Sequence, residues 1–438
     1  MIFRGRIGLT GDTVSRLLRS TSRTEHLVAS PVYILGGYQT DFKRNWAREG
    51  QEIFHLFRET LEHGLAQTSL DAEDIQTAHV GNFAAELFCD QGHLGGFFAE
   101  VNPKLAGVPA GRHEGACASG SLAILGASAE IESGRYDLAA VLGIEIMRNV
   151  PGDEAAANIG GSAMWSGHEC QGVKYPWPHV FSVLGDEYEK RYGLDHKHLM
   201  GISKINFDNA KRNPNAQTRS WTFDALSFTQ DDEANPVIDG RIRKLDCGQV
   251  SDGAAIIFLA SEARAAQYAA KRGLKLENLA YIEGWGHRTA SISYDPKIAA
   301  SKDKDYVFPH VRGTILDAFK RAKISGTNDL SGIETHDCFT TTEYMAIDHF
   351  GITPPGQSWR AIEEGTIAAS GRLPINPSGG LIGLGHPVGA TGVRMMLDSA
   401  KQVTGKAGGY QVEGAKRFAT LNIGGSATTT VSFIVAKH

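Results

Sequence analysis

From Pro31 onward the apolar residues fall into two alternating rhythms. Short β-branched runs bounded by turn residues read as strands, and apolar residues three and four apart read as helices. "PVYILGGYQTDF" is a strand running into a Gly-containing turn, and a helix follows from about Glu49, with Ile53, Phe54, Phe57, Leu61 and Leu65 at helical spacing. "AHVGNF" predicts a short strand, and "RHEGACASGSLAILGASAEIESG" passes from strand into helix at Cys117. "DLAAVLGIEIM" and "GAAIIFLAS" are continuous apolar runs of the kind buried in a central sheet. Strand and helix alternate, which predicts an α/β architecture.

The second half repeats the order. "NLAYIEGWG" predicts a strand, a helix runs from about Val307 to Lys323, "GIETHDCF" is a strand reaching a loop, and a helix lies around Glu343 to Phe350. "NPSGGLIGLGHPVGATGVRMMLDSA", "RFATLNIGGS" and "TTTVSFIVA" complete the series. Two tandem α/β domains of similar topology are the inference, with one domain carrying extra strands as the alternative. The boundaries fall at residues 31–150 with 244–270 for the first domain and 271–438 for the second. Residues 151–243 differ in texture: "WSGHECQGVKYPWPHVFSVLGDEYEKRYGLDHKHLM" is rich in Gly, Pro, Trp and His, with one clear helical segment near Glu187. Such an insertion reads as a lid or binding surface, or as a plain packing unit.

Composition narrows the function. The 438 residues are 42% hydrophobic and 21% charged, with a net charge of -5 and no basic run interleaved with aromatics, so nucleic acid is an unexpected partner. No stretch approaches the roughly 18 apolar residues of a membrane span, so no integral membrane contact is expected. Cys89, Cys117, Cys170, Cys247 and Cys338 are odd in number, widely spaced and never CxxC, which argues against a disulfide framework and a structural zinc site and fits a reducing compartment. Residues 1–30 carry Arg4, Arg6, Arg16, Arg19 and Arg23 against Asp12 and Glu25, with many Ser and Thr. That composition suits an organelle transit peptide and a mitochondrial matrix address, with a solvated arm as the bland alternative. "RSTSRTEHL" and the C-terminal Ala436-Lys437-His438 resemble degenerate peroxisomal signals, leaving peroxisome, glycosome or cytoplasm as other addresses.

Three segments carry candidate chemistry. Cys117, in "GACASG", sits between a strand and a helix, where the helix dipole and unpaired N–H groups would favour a thiolate and lower its pKa below about 8.5; the plain alternative is a buried structural cysteine. "NPSGGLIGLGHPVGATG" lacks the GxGxxG spacing of a dinucleotide site, and His386 with Pro387 opens the next helix. If the two domains place their third helix alike, His386 faces Cys117 across a pseudo-twofold axis, the pairing that thiol nucleophiles require. "HDCF", from His336 to Phe339, offers a second thiol that is a core residue, a metal ligand or an acid/base group.

"ACASG", "SDGAAIIFLAS", "GGLIGLGHPVGATG" and "LNIGGSATTTVSF" together resemble the thiolase family, in that family's order, over essentially all of residues 31–438. "HDCF" resembles the sterol-carrier-protein type, whereas most thiolases have an asparagine-glutamate pair in that loop and a second cysteine where this chain has Asn422. The resemblance implies two pseudo-symmetric βαβαβαββ domains in a five-layer αβαβα core, with residues 151–243 as the loop domain over coenzyme A. It implies CoA-dependent cleavage of a 3-ketoacyl-CoA, reversible as a Claisen condensation, in fatty-acid, lipid or sterol side-chain metabolism. Acyl-CoA and CoA are the expected partners, CoA as substrate, with no bound cofactor or metal and a homodimeric assembly.

In that scheme Cys117 attacks, His386 holds or tunes its proton, and Cys338 exchanges the α-carbon proton in place of the thiol missing at Asn422. The backbone N–H groups of Cys117 and Gly424 form one oxyanion hole, and His386 with His336 the other. Asp337 holds the loop, Phe339 packs, and Glu343 is expected on a solvated face. His179, Val180, Phe181 and Ser182, with Cys247 and Ser251, are candidates for the acyl and CoA contacts. The pairs His168/Cys170 and His196/His198 are assigned to surface or core. Rival readings are a decarboxylating ketoacyl synthase, a non-catalytic acyl-CoA or lipid-binding relative, and a retro-aldol enzyme of the same subgroup.

Overall fold

The computed structural model describes residues 31–438, so the targeting expectation for residues 1–30 lies outside the described residues. The first half builds β1 (Val32–Gln39), α1 (Ile53–Thr68), β2 (Thr77–Gly81), β3 (Ala110–His113), α2 (Ser119–Glu132) and β4 (Leu138–Glu145), and closes with β7 (Gly253–Ala260) and α6 (Glu262–Ala270). Between β4 and β7 lie α3 (Gly152–Ala163), α4 (Pro176–Tyr192), α5 (His196–Ala210) and a hairpin of β5 (Val237–Asp239) and β6 (Ile242–Arg243). The insertion is therefore more helical than its Gly- and Pro-rich composition suggests. The prolines sit mostly at helix starts, Pro176 at the first turn of α4 among them.

The second half supplies β8 (Ala280–Thr289), α7 (Pro309–Arg321), β9 (Gly332–Thr335), α8 (Thr340–Phe350), α9 (Thr391–Val403), β10 (Arg417–Gly424) and β11 (Thr429–Lys437). The strands run in the order β3-β2-β4-β7-β1-β8-β11-β10-β9. The halves meet at β1 and β8, which pair antiparallel from Val32 opposite Ile282 to Ile34 opposite Ala280. Each side of that seam has the same plan. A parallel bridge from Ile375 to Ile333 flanks β9 as β3 flanks β2, so the internal repeat extends to the edge position.

Alternation along the strands sorts the core into layers. On β7, Ala255, Ile257 and Leu259 face inward together with Val32 and Ile34 of β1, and they pack on α2 and α9 with Val431, Phe433 and Val435 of β11. Ile256, Phe258, Tyr33 and Leu35 face the opposite way, onto α1 and α6. Ile434 of β11 faces a third core with α7, α8 and the insertion helices. Helix, sheet, helix pair, sheet and helix thus stack as five layers.

The central pair is close at its N-terminal ends. A Cβ on Gly120 would lie 2.7 Å from the carbonyl oxygen of Gly389 and 3.0 Å from the Val393 nitrogen, and one on Gly392 would lie 2.4 Å from the Ser121 nitrogen. Only glycine permits that approach.

Candidate active site

Because α2 and α9 begin side by side on the pseudo-twofold axis, the residues just ahead of each helix meet. Cys117 lies in a tight turn before Ser119, entered through Ala116 at φ 50°, and His386 lies five residues ahead of Thr391, where α9 begins. The strand segment before β7 braces both loops. Cys247 pairs with Phe339, Gly248 donates to the Cys338 carbonyl at 2.7 Å, and Val250 pairs with His386.

The structure brings Cys117, His336 and His386 together: the sulfur and one nitrogen of each ring lie within 4.8 Å of one another. The two rings meet edge to face with centroids 5.2 Å apart. His386 Nδ1 is 2.6 Å from the Thr391 hydroxyl, its backbone N–H donates to Ser251 Oγ at 2.9 Å, and its Nε2 is buried with no partner. Cys338 shares a cavity of about 250 Å³ with Cys117 and His386, its thiol 3.8 Å from Thr342 Oγ1.

Burial sets the protonation of the whole cluster. It pushes the Cys117 thiol up to about 12, although the backbone N–H groups of Gly425 and of Cys117 itself pull the other way. The expectation of a thiolate lowered by the helix dipole is therefore corrected: α2 starts two residues late, and desolvation outweighs two N–H groups. Burial pushes His386 down to about 3 and His336 well below its usual range, with Arg394 adding to the first and His386 to the second. Cys338 is held well above the usual thiol range by burial and then by the nearness of Cys117. All four shifts run in the direction that favours the neutral forms, two thiols and two imidazoles.

Asp337 ties the two catalytic loops together. Its carboxylate accepts from the backbone N–H of Leu381 at 2.6 Å, of Ile382 at 3.1 Å, and from Asn206 Nδ2 at 2.9 Å. Glu343 is not on a solvated face. It is fully buried, takes Asn206 Nδ2 at 2.7 Å and Asn376 Nδ2 at 2.9 Å, and burial followed by Asp337 pushes its carboxyl well above the usual range. The insertion helix α5 supplies the missing cover through Asn206, a contact that residue order alone does not disclose.

Of the proposed substrate contacts, Phe181 and Cys247 line the cavity. Phe181 stacks on Phe339 with centroids 4.9 Å apart. His179 instead bonds Asp239 at 2.9 Å, Val180 packs in the core, and the Ser182 hydroxyl accepts from the Arg241 backbone at 2.8 Å. Helical rotation explains the division, because Trp177, Pro178 and Phe181 share one face of α4 while the other three point elsewhere. Ser251 positions the His386 loop. Gly424 ends β10 opposite Thr429, and the N–H that reaches the Cys117 sulfur is that of its neighbour Gly425. Sequence reading also passed over Lys297. Its ammonium, pushed down to about 7 by burial, donates to Ser426 Oγ at 2.6 Å and Thr428 Oγ1 at 3.2 Å, pinning the turn that carries Gly425.

No helix among the described residues is long and apolar enough to cross a membrane. A family model for the thiolase N-terminal domain matches residues 32–263, and one described as thiolase C-terminal domain-like matches residues 295–437. An acetyl-CoA acetyltransferase of Methanothermobacter thermautotrophicus is 29% identical over 406 residues, covering 93% of this chain and 99% of that protein. Human sterol carrier protein 2 is 28% identical over 425 residues, covering 94% of this chain and 73% of its own length. Among solved structures, an Ltp2-ChsH2(DUF35) aldolase shares the fold, with a TM-score of 0.74 at 17% identity over 94% of this chain and 99% of that one. With two family models spanning both halves and the paired cysteine and histidines at the seam between them, the chain belongs to the thiolase family of acyltransferases.

Proposed function

We propose that the protein carries out CoA-dependent thiolysis of 3-ketoacyl-CoA, and its reverse, Claisen condensation. The observation that carries this reading is the convergence of Cys117, His336 and His386 within 4.8 Å, with Cys338 on the wall of the same cavity. The Cys117 sulfur attacks the keto carbon as its proton passes to His386 Nε2, the unpartnered atom. The bond between the α and β carbons breaks, leaving the shortened acyl group on Cys117 and an acetyl-CoA enolate, which takes the Cys338 proton. The Cys338 thiolate then accepts the proton of incoming CoA, whose sulfur displaces the acyl group from Cys117. His386 Nε2 returns the first proton to the departing Cys117 sulfur.

Neutral, buried imidazoles suit this cycle because one must accept a proton and the other must donate a hydrogen bond without first losing a charge. The largely apolar cavity wall of Trp177, Phe181, Phe339 and Met147 supports an acyl rather than a polar substrate. The outer edge of β3, exposed at Ala110 and Gly111, supports pairing with a second copy.

The test is incubation with acetoacetyl-CoA and longer 3-ketoacyl-CoA esters plus CoA, following loss of the enolate absorbance and gain of acetyl-CoA. Turnover is expected with at least one chain length and none in Cys117→Ala. A wild type inactive on every 3-ketoacyl-CoA but cleaving a 3-hydroxyacyl-CoA would favour the aldolase chemistry named in its structural relative.

A further inference from the structure

Asn422 is fully buried on β10 between the two catalytic loops, and its side chain makes three hydrogen bonds. Its Oδ1 accepts from the Ser121 hydroxyl at 2.8 Å. Its Nδ2 lies 3.0 Å from the Cys117 carbonyl oxygen and 3.2 Å from His336 Nδ1. The Cys117 carbonyl has no proton to give, so the atom facing it must be the amide nitrogen, which settles the orientation of the amide. One amide proton goes to that carbonyl and the other points at His336 Nδ1. The space for the network is kept by Gly392, where a Cβ would fall 2.4 Å from Ser121 Oγ and 2.7 Å from Asn422 Oδ1.

We infer that Asn422 is a positioning residue that fixes the tautomer of His336, keeping Nδ1 a bare acceptor so that Nε2 carries the proton and acts as a hydrogen-bond donor in the site. A ring nitrogen facing an N–H donor cannot hold a proton of its own, so both the Nδ1–H tautomer and the imidazolium are disfavoured. His386 is set the other way. The Thr391 hydroxyl donates to the Pro387 carbonyl at 3.2 Å, which leaves its oxygen to accept from His386 Nδ1–H at 2.6 Å; in that assignment Nε2 keeps its lone pair. Two neutral histidines 5.2 Å apart thus take opposite parts, one base and one donor. With the tautomer of His336 reversed, two lone pairs would face the oxygen on which negative charge develops. The same constraint bears on metal binding. Cys117, His336 and His386 lie close enough together to be tried as metal ligands, but ligation through His336 Nε2 would force its proton onto Nδ1, against the Asn422 amide.

The inference rests on the thiolase reading for the meaning of the donor, but its direct test does not. Protein labelled with 15N-histidine is studied by long-range 1H–15N correlation between pH 6 and 9, with His336 assigned by its loss in His336→Gln. His336 is expected to show a protonated Nε2 and a bare Nδ1 throughout. In Asn422→Asp the carboxylate accepts instead of donating, so the proton is expected to move to Nδ1, with kcat falling about 10²- to 10³-fold and KM changing less than about threefold. A wild-type His336 protonated on Nδ1 would overturn the inference, and so would an Asn422→Asp protein with unchanged tautomer or unchanged kcat. The wild-type spectrum decides the matter even if that variant does not fold. A correct tautomer in an enzyme without thiolysis would sink the proposed reaction and leave this inference standing.

Discussion

Gly120→Ala tests whether the contact between α2 and α9 sets the catalytic geometry. The added methyl would sit 2.7 Å from the Gly389 carbonyl, 3.0 Å from the Val393 nitrogen and 3.2 Å from the Gly392 nitrogen, all backbone atoms that no rotamer change can move aside. Ordinary contact begins at 3.4 Å, so the helix starts must separate by about 0.7 Å. Overpacking of this kind costs roughly 1–3 kcal/mol of stability. Those helix starts carry Cys117 on one side and His386 on the other, and a displacement near 1 Å can cost about 10²-fold in rate. The expected result is a folded protein with kcat down roughly 10- to 100-fold and KM little changed, since Trp177, Pro178 and Phe181 of α4 and Ala156 and Ile159 of α3, which line the acyl cavity, are not on the displaced helices. Gly96→Ala, with nothing within 4 Å of its Cβ and φ at -66°, is the control and should behave as wild type. A folded Gly120→Ala enzyme of unaltered kcat would refute the claim that this seam holds the two residues in register.

Alkylation of Cys117 by iodoacetamide should accelerate about tenfold per pH unit up to at least pH 9, because a thiol pushed up to about 12 is never substantially ionised below that; a plateau beginning below pH 8 would show a pre-formed thiolate. Cys338→Ala should cut thiolysis by about 10²- to 10⁴-fold and abolish solvent deuterium exchange at the α-carbon of acetyl-CoA, while acetyl transfer onto Cys117 persists; normal exchange in the variant would remove Cys338 from proton transfer. His386 refuses a proton in the fold until about pH 3 but accepts one near 6.5 when unfolded, so it contributes stability above pH 6.5 that is lost as pH falls toward 3. Buried Asp246 and Glu145, both pushed up to about 7, act with the opposite sign, so the readout is a difference: the melting temperature of His386→Asn should fall less between pH 7 and pH 5 than that of wild type, and an equal fall would contradict the shift.

Strands such as β4 and β7, buried on both faces, advertise themselves as unbroken apolar runs, and the repeat of their order in the second half is legible without coordinates. The pairing of Cys117 with His386 follows once that repeat is accepted, because equivalent helices must start at equivalent places. What stays hidden is what depends on three-dimensional surroundings. The composition around Cys117 speaks for a lowered pKa, and only the depth of the sulfur in an apolar wall reverses the sign. Glu343 looks like a surface residue until Asn206, more than a hundred positions earlier, arrives to cover it. Asn422 reads as a missing thiol in the sequence and as a hydrogen-bond clamp in the structure. For α4 the error was one of rotation: four consecutive residues cannot all face one cavity, and helical geometry selects Trp177, Pro178 and Phe181.

In the proposed reaction Cys117 is the residue that carries the acyl group. The most direct test is acid quenching of the enzyme within the first turnovers of acetyl-CoA or acetoacetyl-CoA, followed by peptide mass spectrometry. One acetyl group on the peptide containing Cys117, absent from the Cys338 peptide and lost in Cys117→Ala, is the predicted result. An acetyl group found on Cys338 or Cys247, or a turning-over enzyme with no acetylated cysteine at all, would contradict it.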